Sequence, residues 1–392
     1  MNKAKSFLGY FYKYLFHSKT RQKLIFLAVF GLFLSSMALI VIQGVMNGLQ
    51  GEMIKRSKKA EGSYILRFLD YEESDIDSLM EELKSRDIFF TKEIELELLG
   101  RHDGYIAPIV LRGIDFKTST PKFLEDLSYG GVVLGEDLSF RLKSTLLSSV
   151  TFFSPAHVDL FFGEVPRVSS EDVSDIARTN VQEVDSTTAW VRSSFIHNLI
   201  RERSYNLIRI YDDYPKAEII SILDKTGLDK SINLMSWEDS NPELLWAFNL
   251  ESVVMLVLFV CMCFLVSITI VAGNLIFFNK IKFDLISFWI LGLSKKTISF
   301  LMFLYFQVKA LITCLAGLLV GGLVLYLLKL YAPDIMPNVF LERSLPVNVT
   351  TYHILVAFFV PYSVASLFSL YALITFNKEN SSYIELIRKV GE

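Results

Sequence analysis

The stretch LIFLAVFGLFLSSMALIVIQGV, Leu24–Val45, decides the fold of this chain. It contains no charged residue, and about 20 apolar residues suffice to cross the ~30 Å hydrocarbon core of a bilayer as a helix. It is too long for the apolar part of a signal peptide, and no small-x-small cleavage site closes it. The stretch therefore predicts a membrane-spanning helix.

Three further apolar runs follow in the C-terminal part of the chain: Leu250–Phe278, Ile298–Tyr331 and Tyr352–Phe376. The second of these is longer than one span needs, so we place its membrane helix at 300–331. The whole chain has 392 residues, of which 52% are hydrophobic, and a mean hydropathy of +0.40. These values exclude a simple soluble enzyme, a disordered chain and a fibrous protein. The net charge of −3 gives no excess of positive charge of the kind that binds nucleic acids, so we expect no nucleic-acid partner.

Lysine and arginine set the expected orientation of the spans. They collect in the N-terminal tail, in the loop between the second and third spans and in the C-terminal tail, whereas the loop between the third and fourth spans holds only Arg343. Both tails and the middle loop are therefore expected on the cytoplasmic side of the membrane. The expected segments are a cytoplasmic amphipathic helix (1–23), spans 24–45, 250–278, 300–331 and 352–376, a domain on the opposite side (46–249), a cytoplasmic loop (279–299), a loop on the opposite side (332–351) and a cytoplasmic tail (377–392).

The segment between the first two spans predicts an α+β domain with two similar halves. Strand-like, helix-like and again strand-like patterns occur in each half, as apolar spacing changes from period 2 to period 3.6 and back. The halves comprise Ser63–Phe68, Asp75–Lys84 and Ile88–Glu97, then Tyr205–Ile210, Lys216–Lys225 and Ser231–Trp237. We therefore predict a four-span α-helical membrane protein with a large α+β domain outside the membrane, in which two βαβ-like halves flank a β-rich insertion at about 100–195.

No motif of the chain indicates a catalytic, metal-binding or phosphate-binding site. The five histidines are scattered without paired-ligand spacing, the three cysteines lie within apolar runs, and there is no GxSxG sequence. Gly292–Thr297 (GLSKKT) lacks the second glycine and the preceding strand of a phosphate-binding loop. We therefore expect no catalytic residues, no metal site and no cofactor in this chain, and any energy from ATP would have to come from another chain.

The order of elements and seven short motifs resemble the lipoprotein-releasing permeases LolC and LolE, within the FtsX/MacB-like class of ABC transporter permeases. The motifs run through nearly the whole chain: Val45–Gln50 (VMNGLQ), Val110–Asp115 (VLRGID), Val132–Leu138 (VVLGEDL), Glu183–Asp185 with Ala189–Val191, Trp237–Glu251, Asp284–Ser294 (DLISFWILGLS) and Glu385–Arg388. Three positions depart from the family pattern, at Ser144–Ser149, Trp289 and Tyr383.

This resemblance implies a non-catalytic permease subunit that extracts lipoproteins from the outer leaflet of the inner membrane. Its implied partners are a cytoplasmic ABC ATPase homodimer, a second permease subunit (the same or a paralogous chain), a periplasmic lipoprotein carrier and lipoprotein substrates. A MacB-like efflux permease or an FtsX-like signalling permease is the alternative, and a membrane-anchored sensor is a more distant one. The sequence leaves open whether the permease pairs with itself, whether its role is LolC-like or LolE-like, and which lipoproteins it handles.

The resemblance also implies a coupling helix that seats in the ATPase. Asp284 suits the N-terminus of a short helix and Gly292 the left-handed residue after its end. The apolar anchors would be Phe288, Trp289 and Leu291. The alternative is that this segment is the interfacial end of a long helix.

Two further sites follow from the resemblance. A carrier-binding hairpin would comprise Phe161, Phe162, Gly163, Glu164, Val165 and Pro166, the alternative being two core phenylalanines beside a turn. A cavity for acyl chains would lie at the outer ends of the first two spans, lined by Met37, Ile40, Val41, Met46, Val253, Val254 and Leu258. The glycines Gly317, Gly321 and Gly322 predict close helix packing, either within the monomer or against a partner permease.

Overall fold

The computed structural model describes residues 23–68, 73–115, 120–121, 124, 130–159, 165–202, 204–228, 231–331 and 346–379. Residues 1–22 of the expected amphipathic helix (1–23) and the Glu385–Arg388 motif lie outside these residues. The chain divides into two compact units, Met1–Glu52 with Ala247–Glu392, and Met53–Trp246. The elements in chain order are α1 Lys23–Glu61, β1 Tyr64–Phe68, α2 Glu73–Ser85, β2 Phe90–His102, β3 Tyr105–Ile114, β4 Val132–Gly135, α3 Glu136–Leu142, β5 Ser149–Asp159, β6 Val165–Ala177, α4 Gln182–Thr187, β7 Thr188–Arg192, α5 Ser193–Ile200, β8 Leu207–Ile210, α6 Lys216–Thr226, β9 Ile232–Ser236, α7 Trp237–Ser240, α8 Pro242–Ile290, α9 Lys295–Tyr331 and α10 Thr351–Glu379.

Four helices among the described residues are long and apolar enough to cross a membrane: α1, α8, α9 and α10. Two of them extend well beyond the predicted spans, since α1 continues to Glu61 and α8 runs from Pro242 to Ile290. The polar sequence after Val45 is rich in helix-forming residues, so the helix continues until Gly62, which adopts a left-handed φ of +87°. Hydropathy therefore located the spans but not the ends of their helices.

Small residues allow α1 to pack closely against α9 in the unit Met1–Glu52 with Ala247–Glu392, called the membrane unit below. A Cβ atom on Gly317 would lie 2.7 Å from the carbonyl oxygen of Phe33, and one on Gly321 would overlap the side chain of Ile40. The Ser36 hydroxyl donates to the carbonyl oxygens of Cys314 in α9 (3.1 Å) and Ala357 in α10 (3.0 Å). Two of the three glycines therefore serve packing within the chain, which is the first of the two alternatives above.

The unit Met53–Trp246, called the outer unit below, contains a nine-stranded sheet. The sheet has two parts, and both parts include β2. Strands β2, β8, β1 and β9 lie side by side in an antiparallel arrangement. In each βαβ half the two strands run parallel with one strand of the other half between them, which is the split βαβ arrangement. Their buried face packs against α2 and α6 through residues such as Leu66, Leu79 and Ile222. The predicted subdomain built from both ends of the segment is confirmed.

The insertion forms the second part of the sheet. Its strands follow the order β3, β7, β4, β6, β5 and β2, and β2 also pairs with β3, so the six strands close into a ring. The interior is apolar, and Leu111, Val132 and Phe152 are among its fully buried residues. The expected β-rich insertion is confirmed, while the ring closure is a feature that sequence periodicity did not predict.

Candidate functional site

A cavity of about 490 Å³ opens among α1, α8 and the start of α10, at the end of the bundle opposite to the α8–α9 turn. Five of its lining side chains are aliphatic or thioether groups: Ile42, Met46, Val253, Met255 and Leu256. The others are polar or amphipathic: Gln43, Asn47, Gln50, Asn249, Ser252, Tyr352 and His353. The volume lies within the ~300–1,000 Å³ range of small-molecule sites. The cavity can therefore take an apolar chain together with a hydrogen-bonding head.

Helical spacing brings these side chains to the cavity. Gln43, Met46, Asn47 and Gln50 recur at i, i+3, i+4 and i+7, which places them on one face of α1. Our choice of apolar residues at the span ends included Met46 but missed the three amide side chains of this face. A row of amides at helical spacing inside an apolar stretch was the sequence signal that could have revealed it.

The polar groups of the cavity are partly engaged. Gln50 donates to Glu251 (Nε2 to Oε2, 3.1 Å), and Asn47 donates to the carbonyl oxygen of Asn348 (3.1 Å). The Nδ1 atom of His353 lies 3.4 Å from the backbone nitrogen of Thr350. The Oε1 atom of Gln43 is fully buried and accepts no hydrogen bond from any described residue.

The structure brings two of the seven residues proposed for an acyl-chain site, Met46 and Val253, to this cavity. Ile40 is buried against Gly321 of α9, and Met37 lies beside the same glycine. Val41 packs in the cluster around Leu39 and Leu325. Val254 and Leu258 are 48% and 56% exposed on the outside of α8.

At the other end of the bundle, α8 and α9 are joined by a tight turn. Gly292 has a φ of +95°, as its sequence position predicts, and its N–H donates to the carbonyl of Trp289 while that of Leu293 donates to Phe288. These two bonds form a Schellman motif. The hydroxyl of Ser294 then accepts the backbone N–H of Thr297 and caps α9. The turn is therefore rigid on both sides.

The expectation of a separate short coupling helix starting at Asp284 is wrong. Asp284 lies inside α8, which continues without a break to Ile290, because no glycine or proline interrupts the segment between Asn274 and Leu291. Phe288 and Trp289 pack on the apolar cluster of the bundle end, whereas Leu291 is 78% exposed. The proposed contact residues therefore sit on the last turn of a long helix and on the turn after it.

The proposed carrier hairpin is described only in part. Phe161, Phe162, Gly163 and Glu164 lie outside the described residues, and Val165 and Pro166 begin β6. Both are exposed, and Val165 pairs with Asp159 at the end of the antiparallel β5–β6 ladder. Strands β5 and β6 therefore pair antiparallel on either side of the proposed site, and its carrier-binding role stays a prediction.

A buried ion cluster joins the sheet of the outer unit to the end of α1. The fully buried guanidinium of Arg209 contacts Glu93 (Nε to Oε2, 3.0 Å) and Glu95 (Nη2 to Oε2, 2.9 Å), and its Nη1 donates to the carbonyl oxygen of Glu61. Arg112 lies 3.3 Å from Glu95 and donates to the carbonyl of Ala60. Two cations therefore satisfy carbonyls at the C-terminus of α1.

The cluster shifts the pKa values of its members. Burial by itself would raise the pKa of Glu95, but Arg209, Arg112 and Arg67 outweigh it and hold that pKa below its ordinary value. Burial, with the neighbouring Glu93, raises the pKa of Tyr211 far above its ordinary value. Burial would lower the pKa of Arg209, and Glu93 and Glu95 raise it instead. The Arg209 guanidinium and the Glu95 carboxylate therefore stabilise each other in their charged forms.

Among the described residues, no group of three or more histidine, cysteine, aspartate or glutamate side chains is placed to hold a metal ion.

The fold and the site define a class: a membrane protein with four spans, an α+β domain between the first and second, and a cavity at one end of the bundle. No protein-family model matches the chain. Over 318 residues, it is 23% identical to the lipoprotein-releasing system transmembrane protein LolC of Neisseria meningitidis serogroup B (strain ATCC BAA-335 / MC58), covering 76% of this chain and 75% of that protein. The similarity supports an ABC transporter permease of the LolC-like, FtsX/MacB type, which implies an ATPase partner and a permease dimer.

Two solved structures match part of the chain at low similarity. The extracellular domain of the noncanonic ABC-type transporter YknZ from Gram-positive bacteria has a TM-score of 0.29 at 13% identity, covering 44% of this chain and 98% of that one. The periplasmic region of MacB from Actinobacillus actinomycetemcomitans has a TM-score of 0.31 at 14% identity, covering 50% and 97%.

Proposed function

We propose that this chain is the permease subunit of an ABC transporter that extracts lipoproteins from the outer leaflet of the bacterial inner membrane and passes them to a periplasmic carrier. The observation that carries the proposal is the cavity among α1, α8 and α10. It combines an aliphatic wall with a polar rim, as an acylated protein N-terminus requires. The similarity to a lipoprotein-releasing protein over three quarters of both chains supports the same substrate class.

In this proposal the chain is not itself a catalyst. ATP and magnesium are bound by a separate ATPase homodimer on the cytoplasmic side, where the N- and C-termini of this chain also lie. The contact is the α8–α9 turn with its exposed Ile290 and Leu291, flanked by Lys295 and Lys296. Lysines at this turn agree with a cytoplasmic position.

The continuity of α8 suggests how the ATPase reaches the cavity. Leu256 on the cavity wall and Ile290 at the turn belong to one helix, about 50 Å apart at ~1.5 Å per residue. A helix of this kind moves as a rigid rod, so a displacement of the turn is carried to the cavity wall. A second permease subunit, identical or paralogous, completes the space from which the substrate is expelled.

A release assay tests this proposal. The full chain is reconstituted with its ATPase and with a second permease subunit if required, and ATP-dependent transfer of a fluorescent lipoprotein to a soluble carrier is measured. Val253→Trp fills the cavity and should reduce transfer at least about tenfold. Leu319→Trp is the matched control because Leu319 is 76% exposed on α9. Undiminished transfer by Val253→Trp, or an equal loss in both variants, would count against the cavity.

A further inference from the structure

The four helices of the membrane unit meet around a lysine in the part of the bundle nearer to the α8–α9 turn. We infer that Lys309 anchors a binding site for one anionic phospholipid, with a phosphate oxygen seated against its ammonium group. The lipid belongs to the leaflet on the side of the α8–α9 turn. The assignment of that leaflet as cytoplasmic rests on the function proposed above, whereas the site itself does not.

The ammonium group is the first observation. Lys309 is half-buried on α9, and its Nζ atom lies 5.3 Å from the centre of the Phe306 ring, one turn closer to the α8–α9 turn. Among the residues that the structure describes, this nitrogen forms no ion pair and donates no hydrogen bond. A cation within a membrane span is unfavourable unless an anion or a polar group accompanies it. An anionic ligand at Lys309 would remove that penalty.

The crevice beside Lys309 is the second observation. It has a volume of about 20 Å³, and residues of all four spans line it. About 10–15 Å³ is enough for one water-sized atom. The crevice can therefore admit a single oxygen atom of a larger group, while the rest of that group stays at the surface of the bundle.

The polar lining of the crevice consists mainly of hydrogen-bond donors. Besides Lys309, it comprises Asn274, Thr313 and Ser369, and no aspartate or glutamate is among the described lining residues. Asn274 donates to Ser369 (Nδ2 to Oγ, 3.4 Å), and the Thr313 hydroxyl donates to the carbonyl oxygen of Lys309 (2.8 Å). The hydroxyl of Ser369 accepts a bond and keeps its own hydrogen, as does the ammonium group. An oxygen that carries negative charge is the complement of this set.

The depth of the crevice is the third observation. On α8, Asn274 lies 18 residues after Leu256, which lines the large cavity, and this separation corresponds to about 27 Å at ~1.5 Å per residue. The hydrocarbon core of a bilayer is ~30 Å thick, so the cavity and the crevice lie near its opposite boundaries. Lys309 is therefore at the depth where the phosphates of one leaflet begin.

The charge at this end of the bundle favours an anionic lipid over a neutral one. Four lysines and one aspartate lie between residues 278 and 297, at Lys280, Lys282, Lys295, Lys296 and Asp284. Positive charge beside a span attracts anionic lipids, and basic pockets between spans bind their head groups. The N-terminal residues 1–22 contain no aspartate or glutamate, so that segment has no carboxylate side chain for Lys309.

Native mass spectrometry of the full chain tests the site. The chain is titrated with phosphatidylglycerol in a non-ionic detergent, and the dissociation constant of the first bound lipid is measured. The wild-type chain should bind at least about tenfold more tightly than Lys309→Gln, as expected when a charge-assisted hydrogen bond is removed. Lys309→Arg keeps the charge and the donors, so it should retain most of the affinity. Thermal melting without lipid establishes that each variant is folded.

Lys280→Gln is the matched control because Lys280 is an exposed lysine of α8 at the same end of the bundle. Its affinity for phosphatidylglycerol should stay close to that of the wild-type chain. An equal loss in the two glutamine variants, or no loss in Lys309→Gln, would overturn the site.

Two further ligands separate a lipid from a free ion. Diacylglycerol with the same acyl chains has no phosphate, so it should bind the wild-type chain and Lys309→Gln equally weakly. Inorganic phosphate in large excess should not displace phosphatidylglycerol, and displacement would replace the lipid by a free anion. The assay uses no lipoprotein and no ATP. Loss of the lipid preference with normal lipoprotein release would therefore reject this site alone, and failed release with selective lipid binding would reject the proposed function alone.

Discussion

The backbone of Gly48 lies against the carbonyl oxygen of Pro346, so closely that a Cβ atom on Gly48 would overlap it. The segment before α10 thus lies along α1, where the N–H of Asn348 also donates to the carbonyl oxygen of Gly44 (3.0 Å). Gly44 and Gly48 are one helical turn apart, so both glycines face this segment. The VMNG part of the first-span motif therefore has a packing role beside the cavity.

This contact predicts the effect of a single methyl group. Gly48→Ala should lower the thermal midpoint of the full chain in detergent by several degrees, because the rigid backbone of Pro346 must move. Gly51→Ala is the matched control in the same helix: a Cβ atom there meets nothing within 4 Å. Since alanine is the better helix former by about 1 kcal/mol, Gly51→Ala should be neutral or stabilising. Equal midpoints for the two variants would contradict the packing role.

The ion cluster predicts a large loss of stability from one substitution. Arg209→Met leaves Glu93 buried without its cation, and breaking a buried pair in this way costs about 3–5 kcal/mol. Arg67→Met is the control: Arg67 also contacts Glu95 but is 45% exposed, so its loss should cost less than about 1 kcal/mol. Urea denaturation of the full chain, followed by far-UV circular dichroism, compares the two. A similar loss in both would mean that Arg209 is not the centre of the cluster.

The same cluster predicts sensitivity to acid. The pKa of Glu95 is lower in the folded protein than the ordinary value of 4.5, so its ion pairs stabilise the fold above pH 4.5. That contribution is lost as the pH falls below 4.5 through the folded-state pKa. The unfolding free energy of the wild-type chain should therefore decrease below pH 4.5 more steeply than that of Glu95→Gln. Parallel pH profiles from pH 7 to pH 3 would contradict the shift.

The α8–α9 turn predicts a variant that separates folding from coupling. Gly292→Val forces a β-branched residue into a left-handed conformation, at a cost of about 1–3 kcal/mol, although the surrounding space is open. The turn should rearrange, and stimulation of the partner ATPase should fall while membrane insertion persists. Gly322→Val serves as the control because Gly322 is helical and faces open space. Normal stimulation in Gly292→Val would count against this turn as the ATPase contact.

The proposed carrier hairpin makes the fifth prediction. If Phe161 and Phe162 bind the carrier, changing both to alanine should cost at least about 2 kcal/mol of binding energy, roughly 30-fold in affinity, with little change in the thermal midpoint. Core phenylalanines would instead lower the stability by several kcal/mol. Carrier binding and thermal melting of the same double variant distinguish the two. A large fall in the midpoint with unchanged carrier binding would reject the hairpin as the docking site.

The two βαβ halves show where prediction from sequence succeeds. Apolar periodicity reports which face of an element is buried, and it correctly located β1, α2, β8 and α6 within a few residues. It did not reveal that β2 pairs with β8 through Phe90–Glu93. Partners more than a hundred residues apart leave no local pattern, because strand pairing depends on backbone hydrogen bonds that every residue can make.

The sequence by itself determined the four spans, the α+β domain between the first two, and the left-handed residue at Gly292. Each of these features follows from a local property of the sequence. The properties are the free energy of transferring about twenty residues into the membrane, the spacing of apolar residues, and the ability of glycine to adopt a positive φ. Only the tertiary structure decided that α8 continues through Asp284, that Met46 and Val253 line the cavity while Ile40 does not, and that Lys309 lies beside a crevice lined by all four spans. These features depend on which faces of the helices pack together. Packing joins residues up to about 300 positions apart in the sequence, so a short stretch of sequence does not reveal it.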